Sequence, residues 1–214
     1  MLTLGIDTAE PLGGVALFDG NGVSEERMMK KPLAHAERLI PLIDETMEGC
    51  GRSRSEVDRI AVNLGPGSFT GLRIGLASAM GLCQALDVPL VGVQGSFAYR
   101  DRMPTARRVC VVIRSRRNLV YAQWFAGSKP REDIQLLSES ELIDRLSEEA
   151  RELTLVGSAA EAIHVQVADQ PFLLLGEEDA RRPSPLAIAR MGAAKESVDR
   201  LSEVRPIYVE PILA

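Results

Sequence analysis

Asp7 closes the run Leu2-Thr3-Leu4-Gly5-Ile6. A carboxylate fixed at a strand end is the kind of group that holds a catalytic metal or a metal-nucleotide complex. Chemistry on phosphate asks for more. A nuclease needs several acids converging on two ions, and a phosphotransferase needs phosphate-binding loops in both halves of the molecule. Asp7 stands nearly alone. The second half of the chain has a comparable run, Val112-Ile113, but it ends on Arg114-Ser115-Arg116-Arg117, and a guanidinium at that place repels Mg²⁺. Structural or partner-binding use of Asp7, such as capping the Thr8-Ala9-Glu10 turn, is favoured over catalysis.

The segment G65-P-G-S-F-T-G-L-R-I-G75 is the most informative in the chain. A helix start attracts anions through its backbone N–H groups, so Ser68, Thr70 and Arg73 together with Asp7 mark a candidate anion or nucleotide cleft. The spacing argues against it. No lysine follows Gly71 as a Walker A loop requires, and three residues separate Gly67 from Gly71 where a dinucleotide fingerprint allows two. Gly65-Pro66-Gly67 reads as a turn needing positive φ or close backbone approach, with Ser68 or Thr70 capping the helix that follows. Gly67, Gly71, Gly75 and Ala79 then recur every four residues as a stripe of small side chains. Each interior glycine costs a helix about 1 kcal/mol relative to alanine. A helix passing at close range, from this chain or from another subunit, is the simplest compensation. Leu72, Leu76 and Cys83 form a second, apolar face suited to covering a sheet.

The other reactive side chains point to structure. His35 and His164 are the only histidines, and His35-Ala36-Glu37 lacks the spacing that puts two zinc ligands on one helix face. Ser68 lies outside any nucleophile-elbow pattern. Cys50, Cys83 and Cys110 are odd in number and set among apolar neighbours, as buried free thiols are. Tyr121, Trp124 and Phe125 alternate along a strand pattern and read as buried on one or both sides rather than as a base-stacking platform. Arginines cluster between Arg100 and Arg117, where solvated surface is the default reading and a local RNA contact the lesser alternative, within a chain of net charge −5. With 45% hydrophobic and 26% charged residues in 214, the chain can bury a sizeable core, and wholesale disorder is excluded. No apolar run reaches membrane-spanning length. The N-terminus enters a strand pattern without a signal-peptide region, which predicts a cytoplasmic protein with no membrane partner.

These residues need a scaffold, and the patterning supplies one. Strand-like stretches at Leu2–Asp7, Gly13–Phe18 and Val23–Met29, punctuated by Gly-Gly and Asp19-Gly20-Asn21-Gly22, predict hairpins. A helical pattern covers Ala34–Cys50, with Leu39, Ile43 and Met47 on one face and Pro41 predicted to kink it. Strand Arg59–Asn63, helix Thr70–Leu86 and strand Pro89–Val93 follow. The plan then repeats: strands Arg108–Arg114, Asn118–Phe125 and Ile134–Leu137, a helix capped by Ser138 or Ser140, strand Leu153–Val156, helix Ala159–Val167, strand Pro171–Leu175 and a last helix starting near Arg182–Ala187. Three antiparallel strands followed by alternating helices and strands is the plan of a ribonuclease H-like sheet, and two in tandem make an α/β actin-like (ASKHA) architecture. The boundary is expected in the polar stretch from Arg100 to Arg107, giving lobes 1–103 and 104–214, with the last helix packing back on the first lobe.

The glycine-rich signature, with Leu4-Gly5-Ile6-Asp7-Thr8, the run H-A-E-R-L-I-P-L-I from His35 to Ile43, P-L-V-G-V from Pro89 to Val93, N-L-V-Y from Asn118 to Tyr121, Leu155-Val156-Gly157 and R-P-I-Y from Arg205 to Tyr208, resembles the bacterial TsaB (YeaZ) family from end to end. The resemblance implies a non-catalytic partner and scaffold of a TsaD-like transferase. That enzyme carries out N6-threonylcarbamoylation of adenosine 37 in tRNAs reading codons that begin with A, and a TsaE-like ATPase joins the assembly. It implies docking through the two first-lobe helices, with a homodimer by the same face when the chain is alone. On this chain the interface falls on His35, Leu39, Ile43, Met47, Gly67, Gly71, Leu72, Gly75, Leu76 and Ala79. It also implies no intrinsic cofactor or metal, ATP or ADP only at the interface of the partner complex, and tRNA contact only through the complex. The chain departs from the family pattern in having His35-Ala36-Glu37 where H-S-E is common, and Arg114 where an aspartate is common. Two competing readings are an independent Mg-nucleotide-binding phosphotransferase or ATPase, revealed by turnover of the isolated chain, and a direct tRNA-binding module, revealed by salt-sensitive tRNA binding without partners.

Overall fold

A computed structural model describes residues 1–20, 24–195 and 201–209. Val23, at the start of the third expected strand, and Asn21-Gly22 of the expected turn lie outside the described residues. The strands are β1 (Thr3–Asp7), β2 (Gly14–Phe18), β3 (Ser24–Met28), β4 (Arg59–Asn63), β5 (Leu90–Val93), β6 (Arg108–Arg114), β7 (Leu119–Ala126), β8 (Lys129–Pro130), β9 (Gln135–Ser138), β10 (Leu153–Val156) and β11 (Leu173–Leu175). The α-helices are α1 (His35–Gly49), α2 (Phe69–Leu86), α3 (Gly95–Asp101), α4 (Glu139–Ser147), α5 (Ala160–Gln166) and α6 (Pro185–Ala194). The chain divides into one unit of 1–98 with 183–207, and a second of 99–182 with 208–214.

The first unit is a five-stranded sheet in the order β3-β2-β1-β4-β5, antiparallel among β1 to β3 and parallel across β1, β4 and β5. The two faces of the sheet carry side chains of different size, because successive residues of a strand point opposite ways. Leu4, Ile6, Leu17, Ile60 and Val62 form one core with Leu39, Ile43 and Met47 of α1 and Leu76, Ala79 and Cys83 of α2. The other face is nearly bare. A Cβ at Gly5 would press into Pro185 and Ala189 of α6, and one at Gly192 of α6 would press into Ala61. These absent side chains let α6 lie close on the sheet, with Ala61, Val93, Ala187 and Ile188 in a small second core. Ser184 caps α6 by accepting from the Ala187 N–H at 3.1 Å, and Pro185 occupies the first turn without costing a hydrogen bond. At the far end Arg59 donates to the carbonyls of Gly192, Ala193 and Lys195. α1 continues through Pro41, which is exposed, so the carbonyl it leaves unpaired faces water.

The second unit repeats the strand order as β11-β10-β6-β7, with β8 and β9 both paired to the outer edge of β7. β6 and β7 are antiparallel, and β10 and β11 run parallel to β6. The third strand of this half is thus broken in two, which explains its weaker sequence pattern. Ser138 starts α4 through a capping box with Glu141. α3, seven residues long, has too few turns to show a periodicity and was not expected from the pattern.

The polar stretch 100–107 is ordered rather than a loose linker. Arg100 is 5% exposed and donates to the carbonyls of Gly127 at 2.6 Å, Ala106 at 3.0 Å and Met103. Arg108 forms a two-pronged pair with Glu149 at 2.7 and 2.9 Å, and Arg102 donates to the Asp179 carbonyl. Part of the expected arginine cluster is therefore spent on the fold.

Candidate protein-docking face

The chain leaves β1 through a buried turn. Residues Leu2 to Glu10 are all buried. Gly65 adopts φ +107°, and the turn it begins brings Gly67 against Ala9, where a Cβ would overlap the Ala9 carbonyl. Ser68 donates its N–H to that carbonyl at 2.7 Å and takes the Gly71 N–H on its side chain at 3.2 Å, capping α2 as expected from the sequence. One turn on, a Cβ at Gly71 would overlap the Thr8 carbonyl, and one at Gly75 the Thr8 hydroxyl. That hydroxyl donates to the Gly71 carbonyl at 2.7 Å. The compensation for the three glycines is thus the Thr8-Ala9 turn of the same chain.

This settles where the predicted interface residues lie. Leu39, Ile43, Leu72 and Ala79 are at most 1% exposed, His35 and Met47 are 3% exposed, and Leu76 is 8% exposed. Gly71 and Gly75 are buried and Gly67 half-buried. All ten face inward because the periodicity of α1 and α2 marks the sheet side of each helix as readily as a partner side. Burial lowers the pKa of His35 against a contact with the Glu10 backbone, and its Nδ1 lies 3.3 Å from the Met29 sulfur. It is a core histidine.

α1 and α2 pack side by side, and their outward side is a different set of residues. On α2 these are Thr70, Arg73, Ala77, Gly81, Gln84 and Ala85, with Ile74 half-buried between them. Ile40 is 38% exposed and Pro41 exposed on α1, and at the rim Phe69 is 53%, Leu12 43% and Leu33 73% exposed. Leu33 sits beside the tight turn, its N–H bonded to the Pro11 carbonyl at 2.9 Å. α2 is long and apolar enough by length and composition to cross a membrane, yet only a third of it is buried in the chain. Gly81 is the decisive residue: a Cβ there meets nothing within 4 Å. The sequence held the signal, a second small-residue repeat at Ala77, Gly81 and Ala85 beside the one at 67 to 79.

The candidate anion residues are drawn apart in role. Asp7 is 2% exposed, and one carboxylate oxygen accepts from the Ala9 N–H and the Asn63 side-chain amide, both at 3.0 Å. Asn63 in turn accepts from the Gly65 N–H at 2.8 Å, tying the β1 end to the glycine turn. Burial raises the pKa of Asp7, and its hydrogen bonds oppose that. A buried acid already engaged by two donors is a poor ligand for a metal-bound phosphate. Ser68 is consumed by its cap, while Thr70 and Arg73 lie on the exposed side, with the Arg73 guanidinium 3.7 Å over the Phe69 ring. In the second unit Arg114 closes β6 as Asp7 closes β1. Among the described residues no group of three or more His, Cys, Asp or Glu is placed to hold a metal ion.

The remaining candidates are structural. Cys50, Cys83 and Cys110 are free thiols, and burial pushes Cys83 up to about 12 and raises Cys110 further. Trp124 and Phe125 are buried, so the strand offers no aromatic platform.

Comparison with known proteins bears on the same elements. A protein-family model described as "TsaD: tRNA N6-adenosine threonylcarbamoyltransferase" matches residues 30–134. The Escherichia coli (strain K12) "tRNA threonylcarbamoyladenosine biosynthesis protein TsaB" is 27% identical over 98% of this chain and 94% of its own length. The Haemophilus influenzae protein of the same description is 31% identical over 61% of this chain and 56% of its own. YeaZ from Pseudomonas aeruginosa superposes with a TM-score of 0.78 at 25% identity, covering 97% of this chain and 99% of that one. The chain belongs to the TsaB (YeaZ) family. The TsaB relationship runs end to end, and the TsaD match takes in α1 and α2. The helices that form the outward face are therefore shared in pattern with a transferase family.

Proposed function

We propose that this chain is the non-catalytic partner of a TsaD-type transferase in N6-threonylcarbamoylation of adenosine 37 in tRNAs reading codons that begin with A, acting in the cytoplasm. Docking is through the outward face of α1 and α2, and a TsaE-type ATPase joins the assembly. The observation that carries the reading is α2 itself: one charged residue, Arg73, in eighteen, and a mid-helix glycine facing open space. A helix glycine costs about 1 kcal/mol relative to alanine, and at Gly81 nothing among the described residues offsets it. A partner helix approaching at van der Waals distance does. The same face suits a second copy of the chain when the transferase is absent. ATP or ADP is assigned to the partner complex, because Asp7 is engaged within its own unit.

The test is tRNA threonylcarbamoylation reconstituted with the transferase, with and without this chain, beside the chain alone. Activity that requires both proteins supports the reading. Activity from this chain alone, or from the transferase without it, overturns it.

A further inference from the structure

The turn joining β6 to β7 carries three arginines in four residues, Arg114-Ser115-Arg116-Arg117, all three exposed. Its geometry is held by backbone: the Ser115 N–H donates to the Leu119 carbonyl and the Leu119 N–H to the Arg116 carbonyl, both at 3.1 Å, while the Arg114 N–H donates to the Ser158 hydroxyl at 3.1 Å. No ion pair or side-chain hydrogen bond engages these three guanidiniums among the described residues; Arg107, Arg131 and Arg151 of the same unit are likewise without one there but stand apart in sequence, while Arg100, Arg102, Arg108, Arg145, Arg181 and Arg182 are each tied to a carbonyl, a side-chain amide or a carboxylate.

The fold does not call for arginine here. Arg117 sits at φ +53°, a conformation that glycine or asparagine adopts more readily. Three adjacent like charges repel one another. A cluster of like charges that pairs with nothing among the described residues has the composition of a contact made outside the chain.

The geometry points to this turn as a contact for the phosphate backbone of RNA, engaged when the assembly proposed above holds its tRNA. Arginine presents a planar fork of donors matched to phosphate oxygens, and such contacts position a nucleic acid without reading its sequence. An acidic protein surface is the weaker fit. Arg114 to Asn118 bring no apolar side chain to anchor a protein interface, and phosphate contacts need none. The inference rests on the tRNA-modification reading, so its test is arranged to fail separately.

Full-length chain, alone and mixed with the transferase, is titrated with fluorescent bulk tRNA between 50 and 200 mM salt. Three phosphate contacts give a log–log salt slope of about −2 to −2.7, hence a loss of roughly 20- to 40-fold in affinity across that range. The R114Q/R116Q/R117Q variant is expected to keep its circular dichroism spectrum and its affinity for the transferase while its slope flattens by that amount. The triple lysine variant, which keeps the charge, restores most of the slope. Equal affinity and slope for the wild-type and glutamine proteins overturn the inference. Arginine-dependent binding of polyglutamate, with none of tRNA, also overturns it and assigns the turn to an acidic protein. Sedimentation of the same mixtures reports docking independently, so loss of assembly counts against the α1 and α2 face and leaves the result for the turn standing.

Discussion

Replacing Gly81 separates what the chain needs for itself from what its partner needs. In the chain alone, a Cβ at position 81 meets nothing within 4 Å, so Gly81→Ala gains helix propensity with no steric offset. The gain is about 0.8–1.0 kcal/mol. For a chain of this size that corresponds to a rise of roughly 2–4 °C in Tm. Leucine has nearly the helix propensity of alanine, so Gly81→Leu is expected to be at least as stable as the natural chain. Against a closely packed partner helix the same leucine overpacks, at about 1–3 kcal/mol, which weakens assembly roughly 5- to 150-fold. Thermal melts at two protein concentrations give the first quantity free of self-association, and sedimentation with the transferase gives the second. A destabilised Gly81→Ala chain, or a Gly81→Leu chain that docks with unchanged affinity, refutes the reasoning.

Gly75→Ala is the matching control: its Cβ overlaps the Thr8 hydroxyl, so it should lose about 1–3 kcal/mol in urea unfolding, opposite in sign to Gly81→Ala. Asp7→Asn keeps an oxygen that can accept from both Ala9 and Asn63 while removing a buried charge, so it should be more stable than the natural chain at pH 7. The native pKa of Asp7 is raised, so its favourable contribution is present below the unfolded value of 3.8 and is lost as pH rises through the folded pKa. The advantage of the Asp7→Asn variant should therefore shrink as pH falls through that range, and an advantage that widens on acidification contradicts the assignment. Arg100→Leu leaves the carbonyls of Met103, Ala106 and Gly127 without their donor and should cost about 3 kcal/mol or more, measured as a shift in denaturation midpoint and as faster proteolysis between residues 100 and 107.

Much of the architecture is determined locally and was readable. Ser68 before the helix that starts Phe69-Thr70-Gly71, Ser138 with Glu141 three residues on, and Ser184 before Pro185 each satisfy orphan backbone groups within a few residues, so their elements could be placed from sequence. The doubled strand order follows the doubled patterning, and the α/β two-unit fold with it. The outward helix face was not readable in the same way. A helix of period 3.6 with small residues at 67, 71, 75 and 79 and again at 77, 81 and 85 has two equivalent candidates for close approach, and periodicity cannot rank them. Only the tertiary course of the Thr8-Ala9 turn, lying against Gly67, Gly71 and Gly75, makes the first stripe internal and leaves the second exposed. Arg100 shows the same principle in charge: a guanidinium in a polar stretch reads as solvated, and it is buried because carbonyls from positions 103, 106 and 127 converge on it. Such convergence across distant residues is a property of the fold, which is why the sequence carried the pattern of the site and the structure decided its direction.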